Sequence, residues 1–312
     1  MCHLTILTLC TDESSYIDEA LASVPETEPG LVEHLIVHDG SENFAKDLSR
    51  RYPHLSIISG KGEGAAAAGV LGIAHAKGAF LLQMNSDDRI CAEGLFEFLR
   101  ASTTRPEIDV WTGALRIFKR EPGGPESIVA RYRPEESQVN LLEPVLYGMP
   151  AMTSRFIRRD VFSRIGSWNL RYPNSVDREF AIRLVLNRIQ MGCLRHTVSE
   201  MRMHEQSETI LARRTKLPPF LKEHVVMARE YCKFPGTSDE ERKILRRWHA
   251  GEVTRFSYYS LKHLRVPGLI GNLVRALVWD AAMPFRVLSA LRRIKAARNP
   301  PCGTNQAARE RE

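Results

Sequence analysis

The 312-residue chain predicts an α/β protein: a largely parallel sheet covered by helices, followed by a basic, mainly helical C-terminal extension. Three observations carry that expectation. Over about the first 105 residues, apolar runs of strand length alternate with helix-patterned segments, the signature of βαβ units and a parallel sheet. Three of the first four runs end in polar or acidic clusters, as strands do where they reach the ligand-binding edge of such a sheet. Past residue 211 the strand-like runs stop and the charge changes sign. Residues 212–312 hold 21 Lys and Arg against 9 Asp and Glu, whereas residues 1–211 hold 23 against 28.

Leu4–Cys10 is rich in Leu, Ile and Thr and reads as the first strand. Ser15 and Asp18 stand at capping-box spacing and open a helix to about Val24. Pro25 and Pro29 mark the next loop. His34–His38 is the second strand and ends at Asp39-Gly40-Ser41. Asn43–Tyr52 is a short helix, Leu55–Ser59 the third strand, and Gly60-Lys61-Gly62-Glu63-Gly64 the loop after it. Ala65–Lys77 is an alanine-rich helix closed by Gly78. Ala79–Met84 is the fourth strand and runs into Asn85-Ser86-Asp87-Asp88.

Beyond about residue 105 the alternation weakens. Leu115–Lys119 and Ile128–Arg131 flank Pro122-Gly123-Gly124-Pro125 as a hairpin would. Glu143–Pro150 reads as a loop or short helix, Arg159–Ile165 as a helical turn stopped by Gly166, and Val176–Ile189 as a helix with one buried face. Trp111, Phe156, Trp168 and Tyr172 are assigned to the core. From Pro218 onward the pattern is helical. Residues 264–291 mix apolar positions with Arg265, Arg275, Asp280 and Arg286, which is too charged to span a membrane and suits a segment lying on its surface.

Composition narrows the classes. With 43% hydrophobic and 26% charged residues the chain is globular. It has no run of eighteen apolar residues, so no transmembrane helix is expected. The first ten residues lack the basic start and long apolar core of a signal peptide. Six cysteines, at 2, 10, 91, 193, 232 and 302, are scattered without Cys-x-x-Cys pairs. Neither a zinc site nor a disulfide framework is expected, and reduced thiols in the cytoplasm are. The basic C-terminal third points to an anionic partner, lipid headgroups or nucleic acid.

The chemistry concentrates in Phe80–Asp88. A buried strand there delivers Asp87 and Asp88 together to the mouth of a cleft. Two adjacent carboxylates repel unless a cation or a proton lies between them. Oxygen ligands beside a phosphate-bearing substrate suit Mg²⁺ or Mn²⁺. Asp39 offers acceptors to a nucleobase N–H or a ribose hydroxyl, and Gly40 lets a ligand approach the backbone. The helix starting at Ala65 offers free N–H groups to phosphate. The dinucleotide pattern is excluded, because Gly60, Gly62 and Gly64 have the wrong spacing and follow the third strand. The P-loop pattern ending in Gly-Lys-Ser/Thr is absent.

Taken in order, Leu4-Thr-Ile-Leu-Thr-Leu-Cys10, Val37-His-Asp-Gly-Ser41, Gly72-Ile-Ala-His-Ala-Lys-Gly78 and Met84-Asn-Ser-Asp-Asp88 resemble the successive motifs of family 2 glycosyltransferases, which have the GT-A fold. Met152–Leu184 is similar to the acceptor-side half of that family, through Phe156-Ile-Arg-Arg-Asp-Val-Phe162, Ile165-Gly-Ser-Trp168 and Val176-Asp-Arg-Glu-Phe-Ala-Ile-Arg183. The likeness spans about residues 3–210. It divides the chain into a transferase domain at 1–211, with a donor half to about 105 and an acceptor half after it, and a basic region at 212–312.

The resemblance implies an inverting transfer of a sugar from a nucleotide diphosphate, UDP first, to a glycan or lipid-linked acceptor in surface polysaccharide synthesis. It implies Mn²⁺ or Mg²⁺ and a cytoplasmic location, at the inner face of the membrane if the basic region binds lipid. By the same resemblance, Thr8 and Asp39 line the base and ribose site with Glu13 nearby, and Asp87 contacts the donor sugar or ribose. Asp88 is the principal metal ligand and His204 adds a metal or diphosphate contact. Asp177 falls where the family places its general base, with Glu179 the alternative. Ala65-Ala-Ala-Ala-Gly69 departs from the more polar segment the family carries and removes a side chain near the diphosphate or the sugar. Three rival readings follow. A non-catalytic module binding a nucleotide-sugar or a partner is favoured by Ala65–Gly69 and opposed by Asp87, Asp88 and Asp177. A nucleotidyltransferase is opposed by the acidic Thr11–Ser15 loop. A nucleic-acid binder needs exposed aromatics among its basic residues, and Trp248, Tyr258 and Tyr259 are the ones available.

Overall fold

The computed structural model describes residues 2–11, 15–120, 124–135, 137–205, 207, 218–263 and 266–298. The chain divides into two compact units, residues 1–141 with 150–211, and residues 142–149 with 212–312.

Among the described residues the first unit is built on nine strands: β1 (Leu4–Cys10), β2 (Val32–His38), β3 (Ser56–Ser59), β4 (Phe80–Asn85), β5 (Arg89–Ile90), β6 (Val110–Arg120), β7 (Glu126–Tyr132), β8 (Arg155–Arg158) and β9 (Met191–Arg202). They form one sheet in the order β3-β2-β1-β4-β8-β6-β9-β5, with β7 added on β6. β1 is parallel to β2 and β4, and β2 to β3. Every residue of β1 is buried, which is why it reads as one apolar run instead of an alternation. The parallel half ends at β8, which lies antiparallel to both β4 and β6 and makes the sheet mixed.

Helices α1 (Ile17–Ala22), α2 (Glu42–Arg51), α3 (Ala65–His75) and α4 (Ala92–Thr104) belong to this unit, as do α6 (Arg159–Ile165) and α7 (Val176–Leu186); α5 (Leu142–Tyr147) belongs to the other. The small residues of α3 have a packing cause. A Cβ on Gly69 would fall 1.6 Å from the Trp168 ring, and one on Gly72 would fall 2.3 Å from Leu7. Leu82, Phe80, Phe98 and Phe156 form the core beneath β4, with the Phe98 and Phe156 rings stacked at 3.9 Å. Trp111, Trp168 and Tyr172 are buried as well. The expected capping box at Ser15 is not formed. α1 starts after Tyr16 with no side-chain cap, and Asp18 accepts hydrogen bonds from Arg51 (2.6 Å) and Tyr52 (2.7 Å) instead.

The second unit contains α5, α8 (Phe220–Cys232), α9 (Asp239–Lys262), α10 (Val266–Trp279) and α11 (Met283–Arg298). Its long helix α9 opens on a capping box between Ser238 and Glu241. Val225, Ala250, Val253, Ala276 and Met283 form its core. Charge is buried here too: Glu252 pairs with His224 (3.1 Å) and Arg255 (2.8 Å). Burial alone would raise the Glu252 carboxyl, but these two partners bring it down to about 2. Among the described residues no helix is long and apolar enough to cross a membrane.

Candidate functional site

The register of the sheet brings the polar strand ends together. Asp39 N–H donates to Cys10 O (2.9 Å), Gly60 N–H to His38 O (2.7 Å), and Ser86 N–H to Leu9 O (3.2 Å), lacing the ends of β1, β2 and β4 along one edge. Leu82 pairs with Phe156 across the antiparallel β4–β8 ladder. Continued by two residues, that register sets Met84 beside Ser154, at the turn of 3₁₀ helix Met152–Ser154. Met152 N–H in turn donates to Asp177 Oδ2 at 3.4 Å. β9 then runs parallel to β6 and ends against the Asn85–Asp88 turn, where Arg202 N–H donates to Asp88 Oδ1 at 3.0 Å.

The structure divides the two adjacent carboxylates. Asp88 is 1% exposed, and Asn85 Nδ2 donates to its Oδ2 at 2.9 Å while Arg202 holds its Oδ1. Burial, and after it the neighbouring Asp87 charge, hold its carboxyl above the usual range against these hydrogen bonds. Asp87 faces outward, its Oδ2 lying 2.8 Å from His204 Nε2. The Asp87 side chain is 28% exposed and that of His204 is 19% exposed. The Tyr16 ring lies 5.2 Å from the His204 ring and 4.2 Å from the Arg202 guanidinium. Arg202 thus touches both sides of the turn: its Nε donates to Asp87 O (3.1 Å) and its Nη2 pairs with Glu19 (2.7 Å). Arg89 continues this network to Glu19, Glu126 and Glu200 at 3.1, 3.0 and 2.9 Å. These arginines and glutamates lie far apart in sequence, and no local pattern marks them. Tyr16 and Arg202 are the site residues that the sequence reading missed.

A cation fits one part of this arrangement. Among the described residues no group of three or more His, Cys, Asp or Glu surrounds a common point. An outward carboxylate is what a Mg²⁺ or Mn²⁺ takes when substrate phosphates and water fill its remaining positions, while the imidazole beside it is a ligand that Mg²⁺ does not favour. The inward Asp88 accepts one hydrogen bond on each oxygen and keeps a second lone pair on each.

The other expected residues are placed unevenly. Asp39 is half-buried, and its two oxygens accept from Gly62 N–H and Gly64 N–H, both at 2.7 Å. Gly62 (φ +72) and Gly64 (φ +91) supply the left-handed conformations that wrap the loop around the carboxylate. Each oxygen keeps a second lone pair for a ligand. Thr8 does not face the open edge. It is fully buried and its hydroxyl meets His34 Nε2 at 2.8 Å. Burial, with a smaller contribution from His54, pushes the His34 imidazole down to about 4. Glu13 lies outside the described residues. Asp177 is half-buried in the first turn of α7, whose free N–H groups favour a carboxylate. Glu179, the alternative, is fully buried. Arg183 grips it at 2.7 Å while also donating to Ile165 O, Gly166 O and Ser167 O, so the pair ties α7 to the Gly166 turn.

The model of the family described as Glycosyl transferase family 2 matches residues 5–166. The chain belongs to this family. It is a glycosyltransferase, and its mixed sheet with flanking helices is the GT-A fold. The chain is similar to the solved structure of S. aureus TarS 1–349 in complex with UDP-GlcNAc, with a TM-score of 0.64 and 17% identity over 95% of this chain and 91% of that one. TarS 1–349 without that ligand gives a TM-score of 0.62 at 16% identity with the same coverage. At this identity the likeness speaks to the fold. No curated protein matches the chain.

Proposed function

We propose that this glycosyltransferase moves a sugar from a nucleotide-diphosphate donor, a UDP-sugar, to a glycan or lipid-linked acceptor, with inversion at the anomeric carbon and with Mn²⁺ or Mg²⁺. The observation that carries the reading is the convergence of three segments on one sheet edge: the Asn85–Asp88 turn, Arg202–His204, and Asp177 through Met152. The UDP-GlcNAc complex of the structurally similar TarS supports UDP as the nucleotide.

In this reading Asp87 and His204 would hold the cation, which neutralises charge on the departing diphosphate when bound. Asp88, to which the family resemblance gives the metal, also keeps the turn in place through Asn85 and the Arg202 backbone. Asp39 fixes the glycine loop and presents its remaining lone pairs to the nucleoside. Asp177 takes the proton from the acceptor hydroxyl as that oxygen bonds to the anomeric carbon. The bond from the anomeric carbon to the diphosphate oxygen breaks, and its electron pair leaves with the diphosphate. The acceptor class belongs to surface polysaccharide synthesis at the cytoplasmic face of a membrane.

Calorimetric titration of UDP with and without Mn²⁺ tests the donor half. Mn²⁺-dependent binding is expected for the wild type, lost in Asp87→Ala and weakened in His204→Ala. If no nucleoside diphosphate binds with either metal, the donor reading is wrong.

A further inference from the structure

Helices α10 and α11 each carry two apolar faces. On α10, Leu273 and Ala276 turn inward to the helical core, and Trp279 packs its ring 4.5 Å from that of His249. On the opposite side Ile270, Val274, Leu277 and Val278 are 56, 52, 43 and 83% exposed. Their spacing of i, i+4, i+7 and i+8 is one stripe of a helix. On α11, Met283, Val287 and Ala290 turn inward, while Phe285 and Leu288 stand 88% and 69% exposed. Large apolar side chains this exposed on two helices of one unit are uncommon on a water-facing monomer and mark an interaction site.

The charge around it selects the partner. Residues 256–298 hold eight Lys and Arg and one acidic residue, Asp280. Asp280 is 7% exposed and already paired with Arg286 at 2.9 Å. A two-fold pairing of this face with itself would set Arg275 and Arg292 against their own copies, because the carboxylates near them, Asp280 and Glu143, already pair with Arg286 and with Arg293 (2.6 Å). Phosphate-bearing headgroups over an apolar interior match both the stripe and its charge.

We infer that the outward faces of α10 and α11 form a docking surface for an anionic lipid bilayer. Val278, Phe285 and Leu288 enter the interfacial region, and Arg275 and Arg292 meet the headgroups. This deepens the membrane part of the reading above and does not depend on the identity of the donor.

The test is flotation of the full chain with vesicles of phosphatidylcholine alone or mixed with phosphatidylglycerol, at physiological salt. Wild type is expected to float with the mixed vesicles and not with the neutral ones. The triple variant Val278→Ser, Phe285→Ser and Leu288→Ser is expected to lose at least tenfold in partitioning, and Arg292→Glu to lose part of it. All four positions are exposed, so circular dichroism should show an unchanged fold. UDP titration on the same preparations separates failure here from failure of the donor reading. The inference is overturned if wild type stays with the unbound fraction, or if the triple variant floats equally well. It is also overturned if sedimentation shows a self-association that the triple variant abolishes while vesicles bind neither protein.

Discussion

The two units distribute polarity in opposite ways. In the sheet unit the large apolar side chains are inside, and the charges buried near the site, Asp88 and Arg202, stand at one edge of the sheet. In the helical unit, charge is in the middle of the bundle, where Glu252 meets His224 and Arg255, and apolar side chains stand outside, up to 88% exposed at Phe285. No large apolar residue described in the sheet unit exceeds 51%. The difference separates two uses of a buried carboxylate. Glu252 is already neutralised by its own partners, which pull its carboxyl down to about 2. Asp88 is crowded by a second carboxylate and stays raised. The first arrangement is neutralised within the chain, whereas the second keeps the repulsion of two adjacent carboxylates.

The hardest test of that contrast removes one carboxylate from each unit. Asp177→Asn is expected to lower kcat by about 10²–10⁴-fold, the range for loss of a general base, with UDP binding and melting temperature nearly unchanged. Glu252→Ala is expected to do the reverse. It leaves the buried His224 and the half-buried Arg255 without their partner, at a cost of about 3–5 kcal/mol in stability, while turnover per folded molecule is kept. Glu179→Ala should follow Glu252 and not Asp177, because Arg183 depends on it. A Glu179 variant that loses turnover without losing stability would move the base to that residue.

Acid should weaken both units, over windows the buried groups define. His34 in the sheet and His249 in the bundle are both pushed down to about 4, chiefly by burial. The unfolded chain takes up their protons near 6.5 and the native state does not. Stability is therefore full above pH 6.5 and falls as pH drops toward 4, by up to about 3 kcal/mol for each group. Glu252 adds a second loss as pH falls from about 4.5 toward 2. Melting temperatures across pH 7 to 4 check the first window, and His34→Gln should reduce their slope.

The sequence carried the sheet half of this comparison better than the site. β1, β2 and β4 were legible as largely buried apolar runs, and the half-buried β3 by its Ile57-Ile58 pair between polar flanks. β9 was not, because its polar residues Arg195, His196, Glu200 and Arg202 serve an ion network and a tight turn that become visible only once β5 and β6 lie alongside. Asp87 and Asp88 were found by residue type, but which faces outward depends on the Arg202 backbone 114 positions away. Thr8 is given to the nucleotide by the family resemblance alone, and in the structure its hydroxyl is buried against His34. The alanines of α3 were read as missing site residues. Gly69, which ends that segment, has a packing cause, and Gly69→Ala, which drives a methyl into the Trp168 ring, is expected to cost about 1–3 kcal/mol.

The smallest effect sharpens the contrast most. Phe98 and Phe285 are the same side chain in opposite settings, one fully buried under β4 and stacked on Phe156, the other 88% exposed on α11. Phe98→Ser should cost about 3–5 kcal/mol or more, because it empties a core site and buries a hydroxyl. Phe285→Ser should change the melting temperature of the chain in water by the equivalent of less than about 0.5 kcal/mol. If Phe285→Ser destabilises the chain in water without lipid, the face is covered by protein. If it leaves the melt untouched and removes only vesicle binding, the apolar surface of the helical unit contributes nothing to folding and exists for a partner that the folded chain does not contain.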